Sequence, residues 1–353
     1  MIKIVHVTEA FESGVLEFLR CLTNSTPEME HVIVYGRHHS FEKAHKSFPS
    51  NVSFIAWPEI NTQISPRKDI LALNYLIKIL KSQKPINVIH LHSSKAGILG
   101  RIAARRIGQK KVIYAPHGAT FLRKDVSAFM RTAFATIEKA ITIFPAEVIG
   151  VSKSEADAYR RLGIRAGHVN NGKFFPEPPP KTYDNDTFTI VTTGRAMAQK
   201  NPALYNKIAS AFTDNPKVKF IWIGDGVDRG LLTSPNITVT GWVDRSEVER
   251  LLQTADMYIS TALWEGLSYA VLEAMGMRLP LLLTNCPGNN DLVASGMNGF
   301  LFDYPAQAID FINQYFDNRE LLRTHGDASY NMLQTNFSVE QMAQGYRRVY
   351  SAM

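Results

Sequence analysis

The sequence has little cysteine and no hydrophobic run long enough to span a bilayer. Cys21 and Cys286 are the two cysteines in 353 residues, so we expect no disulfide framework, and a reducing cytoplasm fits. The apolar runs have the length of strands, well below the ~18 residues of a membrane helix. A secretory leader is not expected either, because Met1–Val7 turns polar too soon and suits a buried first strand better.

Several signatures of cofactor and metal chemistry are missing as well. The chain has no GxGxxG, P-loop, nucleophile elbow or CxxC motif. Its histidines, including His38 and His39, lack metal-ligand spacing. Asp184-Asn185-Asp186 has the spacing of a DxD metal motif, but its polar setting favours a solvated turn. The sequence therefore predicts no metal site and no cofactor.

The charge that is present lies mainly in the first half. The chain is 45% hydrophobic and 20% charged, which is typical of a soluble globular protein. Residues 1–170 carry 24 Lys and Arg against 13 Asp and Glu, whereas residues 171–353 carry 15 against 19. A basic half suits an anionic partner, which would be nucleic acid, a polyphosphate or an acidic membrane. Simple solvation of these charges remains an equal alternative.

Strand-like and helix-like runs alternate along both halves, which favours parallel sheets covered on both faces. We predict a first domain over residues 1–170 and a proline-rich linker over 171–186. A second domain covers 187–336, and a C-terminal helix covers 337–353. Two doubly wound domains would face each other across a hinge. Ligands of such sheets bind at the carboxyl ends of the strands, which predicts a site in the cleft.

A glycine turn with two cations follows one predicted strand. Gly194 and Arg195 come directly after the strand Phe188–Thr192, and Lys200 precedes the next predicted helix. Fixed cations near a helix N-terminus suit a diphosphate. The alternative is a pair of solvated surface cations.

Two glutamates eight positions apart follow the predicted strand Met257–Ser260. Glu265 precedes a helix predicted to begin at Ser268, where its carboxylate can face a cleft, and Gly266 allows a ligand to approach the backbone. Glu273 lies inside that helix between apolar neighbours. A buried unpaired carboxylate is costly, so we expect Glu273 to have a partner.

Other strand ends carry weaker candidates. His117 follows the strand Val112–Tyr114 and is suited to donate a hydrogen bond to a sugar hydroxyl or a developing charge, although a lone histidine is as often structural. Gly14, in the predicted loop between the first strand and the first helix, would offer backbone N–H groups to a diphosphate. Further turns could frame a base or be merely tight turns: Gly224 with Asp225, and Gly241 with Trp242 and Val243.

Taken together, these residues resemble the retaining glycosyltransferases of family GT4, of the bacterial surface-polysaccharide type, which have the GT-B fold. The resemblance runs along nearly the whole chain. It rests on Gly194-Arg195 with Lys200-Asn201, Glu265–Glu273, Pro116-His117-Gly118, Gly224-Asp225-Gly226, Gly150-Val151-Ser152-Lys153-Ser154 and Gly296–Leu301. The chain departs from the family at its first loop, where Gly14 stands alone instead of in a glycine pair.

The resemblance implies a role for each candidate. Arg195 and Lys200 would bind the donor diphosphate, Glu273 the ribose, and His117 the donor sugar, while Glu265, with backbone N–H groups of Gly266, Leu267 and Ser268, would contact the transferred sugar. The C-terminal helix would cross back to the first domain. The nucleotide sugar would be a co-substrate, with a UDP-sugar favoured and GDP-mannose second.

The basic first domain then gains an interpretation. Aromatic and basic residues mix at Phe121–Lys124 and Phe129–Arg131, which suits an anionic membrane surface. We expect a cytoplasmic protein bound peripherally to the inner face of the membrane, with a lipid-linked glycan of O-antigen or capsule assembly as acceptor. The alternatives are a GT-B sugar-nucleotide epimerase, a catalytically inactive GT-B scaffold and a nucleic-acid-binding protein. Scattered charge and the lack of a recognised module argue against nucleic acid.

Overall fold

Two parallel sheets, each covered by helices, make up the chain, as the alternating pattern predicts. The computed structural model describes residues 1–37, 45–61, 63, 65–179, 181, 183 and 186–352. The predictions at His38, His39, Asp184 and Asn185 lie outside this part. The chain divides into a first unit, made of Met1–Leu122, Val126–Gly172 and the C-terminal segment from Val339, and a second unit, made of Arg123–Asp125 and Lys173–Ser338.

The first unit contains a seven-stranded sheet whose neighbouring strands are all parallel, in the order β3-β2-β1-β4-β5-β6-β7. Its strands are β1 Ile2–Ala10, β2 Met29–Arg37, β3 Val52–Ala56, β4 Val88–His92, β5 Val112–Ala115, β6 Glu147–Gly150 and β7 Ala166–His168. Its helices are α1 Ser13–Asn24, α2 Pro66–Ser82, α3 Ser94–Arg106, α4 Ala128–Ala140, α5 Lys153–Arg161 and the C-terminal Val339–Ala352. All five residues of β4 are buried, as expected for a strand covered on both faces.

The second unit contains a six-stranded parallel sheet in the order β10-β9-β8-β11-β12-β13. Its strands are β8 Phe188–Thr193, β9 Val218–Ile223, β10 Ile237–Val239, β11 Met257–Ser260, β12 Leu281–Thr284 and β13 Gly299–Phe302. Its helices are α6 Pro202–Ser210, α7 Arg245–Thr254, α8 Tyr269–Gly276, α9 Pro305–Asp317 and α10 Arg319–Asn336. Within the described residues, no helix is both long and apolar enough to cross a bilayer.

The C-terminal helix α11, Val339–Ala352, packs on the first unit. Tyr350 places its hydroxyl 2.9 Å from Nδ1 of His90, and Arg347 donates a 2.7 Å hydrogen bond to the carboxylate of Glu28. The polypeptide therefore returns to its first sheet after completing the second, as the resemblance implied.

The structure differs from the sequence prediction in several local features. The first strand runs to Ala10, so Gly14 does not lie in a loop but in the first turn of α1. The run from Gly97 to Ile107 predicts a helix, which in the structure begins earlier, at Ser94. The residues from Lys173 onward, predicted as linker, group with the second unit, where the Phe175 ring packs against Gly276. The pattern also missed α5, α9, α10, β7 and β13.

Candidate functional site

The order of the second sheet reverses between β8 and β11, which are neighbours in space but not in sequence. Such a switch point leaves an open crevice at the carboxyl ends of the two strands. The Gly194 turn follows β8, and the loop that carries Glu265 follows β11. The topology therefore brings together two segments that the sequence places some 70 positions apart.

The glycine turns that follow β8 and β9 pack against each other. Gly194 has a φ of +146°, a conformation that side chains with a Cβ rarely adopt. Its carbonyl accepts a 3.0 Å hydrogen bond from the indole Nε1 of buried Trp222. A Cβ on Gly224 would lie 2.3 Å from that same carbonyl oxygen. The two glycine turns are thus packed backbone against backbone, which fixes where the residues after Gly194 lie.

Lys200 forms an ion pair with Glu265 at the switch point. Its Nζ lies 2.7 Å from Oε1 of Glu265, and the two side chains are only 20% and 9% exposed. The loops that carry them are tied by a 2.8 Å hydrogen bond from Leu263 N to the Gln199 carbonyl. A second tie, of 2.7 Å, runs from the Thr261 hydroxyl to the Lys200 carbonyl. The predicted diphosphate cation and the predicted sugar carboxylate therefore lie in direct contact.

Burial and charge act in opposite directions on Lys200. Burial alone would lower the pKa of its ammonium, but the nearby Glu265 carboxylate outweighs this effect and the pKa is raised overall. Lys200 is therefore charged at neutral pH. Arg195, by contrast, is exposed at the surface of the same turn. The site holds one sheltered cation and one cation open to solvent.

The second segment leads from Glu265 into α8. Gly266, Leu267 and Ser268 are all buried, and Ser268 is the N-cap residue of the helix. A Cβ on Gly288 would lie 2.7 Å from the Gly266 carbonyl, so this loop too is closely packed. The N-terminus of α8 therefore lies just after the buried carboxylate of Glu265, where its partial positive charge favours an anion.

Glu273 has the partner that its buried helix required. Lys173, with a side chain only 3% exposed, forms an ion pair with Glu273, which is 26% exposed. The Lys173 ammonium also lies 5.3 Å from the centroid of the Phe175 ring. Lys173 lies in the segment predicted as linker, and this contact was not expected from the sequence. A lysine between a glycine and an aromatic residue, Gly172-Lys173-Phe174, was the available signal.

The remaining glycine turns lie at the ends of β9 and β10. Gly224 and Gly241 form an isolated antiparallel bridge. Asp225 accepts a hydrogen bond from the Gly226 amide and pairs with Arg229 at 3.1 Å, so it stabilises its own turn. Beyond Gly241, Trp242 is 68% exposed and Val243 is half-buried. An exposed indole beside a glycine turn is a surface on which a flat base can stack.

In the first unit, His117 follows β5 with a φ of +56°. The loop is held by Glu155, a fully buried carboxylate that accepts hydrogen bonds from the backbone N–H groups of Gly118, Ala119 and Val151 at 2.6–3.1 Å. Burial lowers the pKa of His117 to about 3, so its imidazole is neutral at neutral pH. His117 stood out in the sequence, whereas Glu155, which holds the loop directly after it, did not.

Two other candidates among the first 125 residues have surroundings that the sequence did not indicate. Gly14 is exposed, and a Cβ there would meet nothing within 4 Å, so the close packing that would require glycine is not found. Arg123, expected in a basic surface segment, lies over the Trp264 ring at 5.7 Å and pairs with Asp125. Arg123 therefore packs on a side chain of the second unit, to which residues 123–125 also belong.

Comparison with known families gives two matches that together cover most of the chain. Residues 15–171 match the model described as "Glycosyl transferase 4-like domain". Residues 187–318 match "Glycosyl transferases group 1". The boundary between the two models falls between the two units.

Among curated relatives, an Escherichia coli protein is 28% identical over 79% of this chain and 76% of its own length. It is named UDP-Gal:alpha-D-GlcNAc-diphosphoundecaprenol alpha-1,3-galactosyltransferase. Another E. coli relative, the O-antigen biosynthesis glycosyltransferase WbnH, is 25% identical over 80% of this chain and 81% of its own length.

Solved structures share the fold at low identity. Anabaena Alr3699/HepE, crystallised with UDP and glucose, covers all of both chains with a TM-score of 0.81 at 17% identity. The lipopolysaccharide outer core galactosyltransferase WaaB also covers both chains fully, with a TM-score of 0.73 at 15% identity. These similarities confirm the predicted fold class of two doubly wound α/β domains.

Proposed function

Because this chain belongs to the GT4-type glycosyltransferases, enzymes with the GT-B fold, we propose that it moves a hexose from a UDP-sugar to a lipid-linked saccharide. The pathway would be the assembly of O-antigen, capsule or a similar surface polysaccharide. A UDP-sugar is favoured over GDP-mannose by the relative named for UDP-galactose and by the structural neighbours that contain UDP. The lipid-linked acceptor is supported by the diphosphoundecaprenol in the first relative's name.

The observation that carries this proposal is the Lys200–Glu265 pair at the switch point of the second sheet. A sheltered ammonium, an exposed guanidinium and a helix N-terminus lie within one short stretch of strand ends. Cleavage of the sugar–phosphate bond leaves extra negative charge on the nucleoside diphosphate. Arg195, Lys200 and the N-terminus of α8 would stabilise this charge where it develops.

The other committed residues take the roles that the resemblance implies. Glu265, with the backbone of residues 266–268, would contact the transferred sugar, and Glu273 would hold the ribose while Lys173 orients its carboxylate. His117 would contact the donor sugar. Turns at Gly224 and Gly241, with exposed Trp242, would frame the base.

The stereochemical course is retention, as in the family that the sequence resembles. Attack from the face of the leaving group needs no enzyme nucleophile, and the leaving diphosphate oxygen would take the proton of the acceptor hydroxyl. Neither a metal nor a cofactor would take part. Addition of EDTA should therefore leave the transfer rate unchanged, and a loss of rate that Mg²⁺ or Mn²⁺ restores would contradict this part of the proposal.

Peripheral binding to the inner face of the membrane is proposed for the first unit. On and just after α4, Phe129 is 79% exposed and Ile143 77% exposed, and Arg131 and Lys139 supply positive charge on the same segment. Apolar side chains flanked by cations suit an anionic bilayer surface. Combined Phe129→Ser and Ile143→Ser should reduce sedimentation with phosphatidylglycerol vesicles. Val227→Ser, which changes a 92% exposed side chain of the second unit, is the control.

A thermal-shift panel with UDP, GDP, dTDP, NAD⁺ and a DNA duplex tests the donor class. A ligand that binds the native state raises the Tm according to its affinity. We expect a rise with UDP that Lys200→Ala removes and that Lys207→Ala, an exposed lysine on neighbouring α6, retains. A rise with DNA or NAD⁺ but with no nucleoside diphosphate would contradict the proposed donor site.

A further inference from the structure

Four histidine rings in the first unit form one continuous hydrogen-bonded chain. Nε2 of His117 lies 2.9 Å from Nδ1 of His92, and Nε2 of His92 lies 3.0 Å from Nδ1 of His6. Nε2 of His6 lies 3.0 Å from Nδ1 of His31. This histidine chain ends at Thr26, whose hydroxyl oxygen is 2.9 Å from Nε2 of His31. Each contact between two rings joins Nε2 of one histidine to Nδ1 of the next, so the contacts all run in the same direction.

The position of these rings follows from the fold. His6, His31 and His92 lie on the adjacent strands β1, β2 and β4, and His117 follows β5. His6, His31 and His92 are fully buried, whereas His117 is half-buried. The hydrogen-bonded rings thus lead from the sheet interior to the strand end where His117 lies, just before the residues whose backbone Glu155 binds. Burial lowers the pKa of each ring, so the rings are neutral at neutral pH.

One end of the chain determines where every proton lies. The Thr26 hydroxyl donates its single proton to the Leu22 carbonyl at 2.7 Å, so toward His31 its oxygen can only accept. His31 must therefore carry its proton on Nε2 and accept at Nδ1, because a neutral imidazole has one N–H. The same reasoning then applies to His6, His92 and His117 in turn. All four rings are then Nε2–H tautomers, and the lone pair on Nδ1 of His117 ends the series, without a hydrogen-bond partner among the described residues.

We propose that this chain fixes His117 as a hydrogen-bond acceptor, so that its Nδ1 receives a hydrogen bond from a hydroxyl of the donor sugar. The sequence alone suggested that His117 donates. The inference rests on the proposed function in one respect, that the donor sugar contacts His117. His6, His31 and His92 are positioning residues, because they act on the substrate only through the tautomer of His117.

A metal ion is the competing use of these side chains. Nitrogen atoms of His6, His90 and His92 all lie within 4.8 Å of one another, and Nε2 of His90 has no hydrogen-bond partner among the residues that the structure describes. However, both ring nitrogens of His6 and of His92 are already engaged in the chain. A metal would have to break that chain, so the geometry favours hydrogen bonding.

The test compares His31→Leu with His31→Asn. His31→Leu removes the acceptor for the Nε2–H of His6, and a buried donor without an acceptor is costly. The remaining three rings then gain by reversing, so that each carries its proton on Nδ1 and His117 becomes a donor toward the substrate. His31→Asn is the matched control, because its amide oxygen, attached at Cγ like Nδ1 of the ring, can still accept from His6.

Nitrogen-15 NMR of histidine-labelled protein without ligand reads the tautomers directly. We expect Nε2–H for His117 in the native protein and in His31→Asn, and Nδ1–H in His31→Leu. With a UDP-hexose, His31→Leu should lose about tenfold in kcat/KM, the factor that one net hydrogen bond contributes, whereas His31→Asn should stay within about twofold.

Three outcomes would overturn the proposal. The first is an Nδ1–H tautomer or an imidazolium at His117 in the native protein, a result that does not depend on either variant folding. The second is a stoichiometric metal in the purified protein, or ring signals that shift with added Zn²⁺ and stop doing so in His90→Asn. The third is a reversed tautomer with unchanged kcat/KM, which breaks the link to the substrate. By contrast, expected tautomers in a protein without transferase activity would refute the proposed function alone.

Discussion

Replacement of Glu265 by glutamine separates the two roles proposed for the switch-point pair. The carboxylate neutralises Lys200 at 2.7 Å in a sheltered setting, and it would repel an incoming diphosphate. Glu265→Gln keeps the shape of the side chain but removes the charge. We therefore expect tighter binding of UDP together with a loss of sugar transfer.

The magnitude follows from the geometry. Unit charges about 4 Å apart attract by roughly 4 kcal/mol at an effective dielectric constant of about 20. In Glu265→Gln, a bound diphosphate supplies most of the attraction that Lys200 loses with the carboxylate. The net gain in the free energy of UDP binding should be on the order of 1–2 kcal/mol, which makes the Kd for UDP about tenfold lower. Without ligand, the half-buried Lys200 ammonium of Glu265→Gln has lost its counter-ion. This loss should lower the free energy of unfolding by about 2 kcal/mol and the Tm by about 4–8 °C.

Isothermal titration with UDP and a melting curve with and without UDP measure both effects. Glu249→Gln is the matched control, because Glu249 pairs with Arg245 at 2.9 Å on the exposed surface of α7, where an ion pair contributes little. Unchanged or weaker UDP binding in Glu265→Gln, with no effect of Lys200→Ala either, would refute the assignment of Lys200 to the diphosphate.

Three further predictions concern glycine, charge and pH. Gly224→Ala should lower the free energy of unfolding by more than about 2 kcal/mol and weaken UDP binding, since φ is +136° and the added Cβ would clash with a carbonyl. The control is Gly230→Ala, whose added Cβ meets nothing within 4 Å. It should change neither the unfolding free energy in denaturant nor the UDP affinity in titration. Lys173→Met and Glu273→Gln should each lower the free energy of unfolding by about 1–2 kcal/mol. In a double-mutant cycle, the double variant should lose less than the sum of the two single losses. Additive losses would show that the ion pair contributes nothing to stability. As the pH falls from about 7.5 to about 5.5, the free energy of unfolding of the first unit should decrease by about 1 kcal/mol for each of its buried histidines. The reason is that the rings of the unfolded chain gain protons below a pKa of about 6.5, whereas burial lowers the pKa of the same rings in the folded unit. Denaturant unfolding at the two pH values measures this loss, and equal midpoints would contradict neutral buried rings.

The sequence predicted what depends on local pattern. Buried strands such as Met257–Ser260 and the glycine turn at Gly194 were recognisable because periodicity and residue type determine them directly. Partners distant in sequence were not recognisable in the same way. Lys173 looked like linker, although it forms an ion pair with Glu273, because nothing local indicates which helix a lysine will meet.

The first unit shows the same division between local and tertiary information. His117 stood out at a strand end, but its hydrogen bond to His92 depends on the order of β4 and β5 in the sheet. Glu155 directly follows the Gly150–Ser154 motif but was not singled out, because its three backbone contacts exist only in the folded loop. Gly14 was expected in a loop but lies in the first turn of α1, because the first strand extends to Ala10.

The most direct test of glycosyl transfer is a radiolabelled assay with UDP-hexoses and GlcNAc-diphosphoundecaprenol, the acceptor in the name of the E. coli relative. The account predicts label in the butanol-extractable lipid, its loss in Lys200→Ala and its persistence in Lys207→Ala. Label that stays water-soluble for every donor, with an epimerised sugar nucleotide as the product, would contradict a transferase and favour an epimerase.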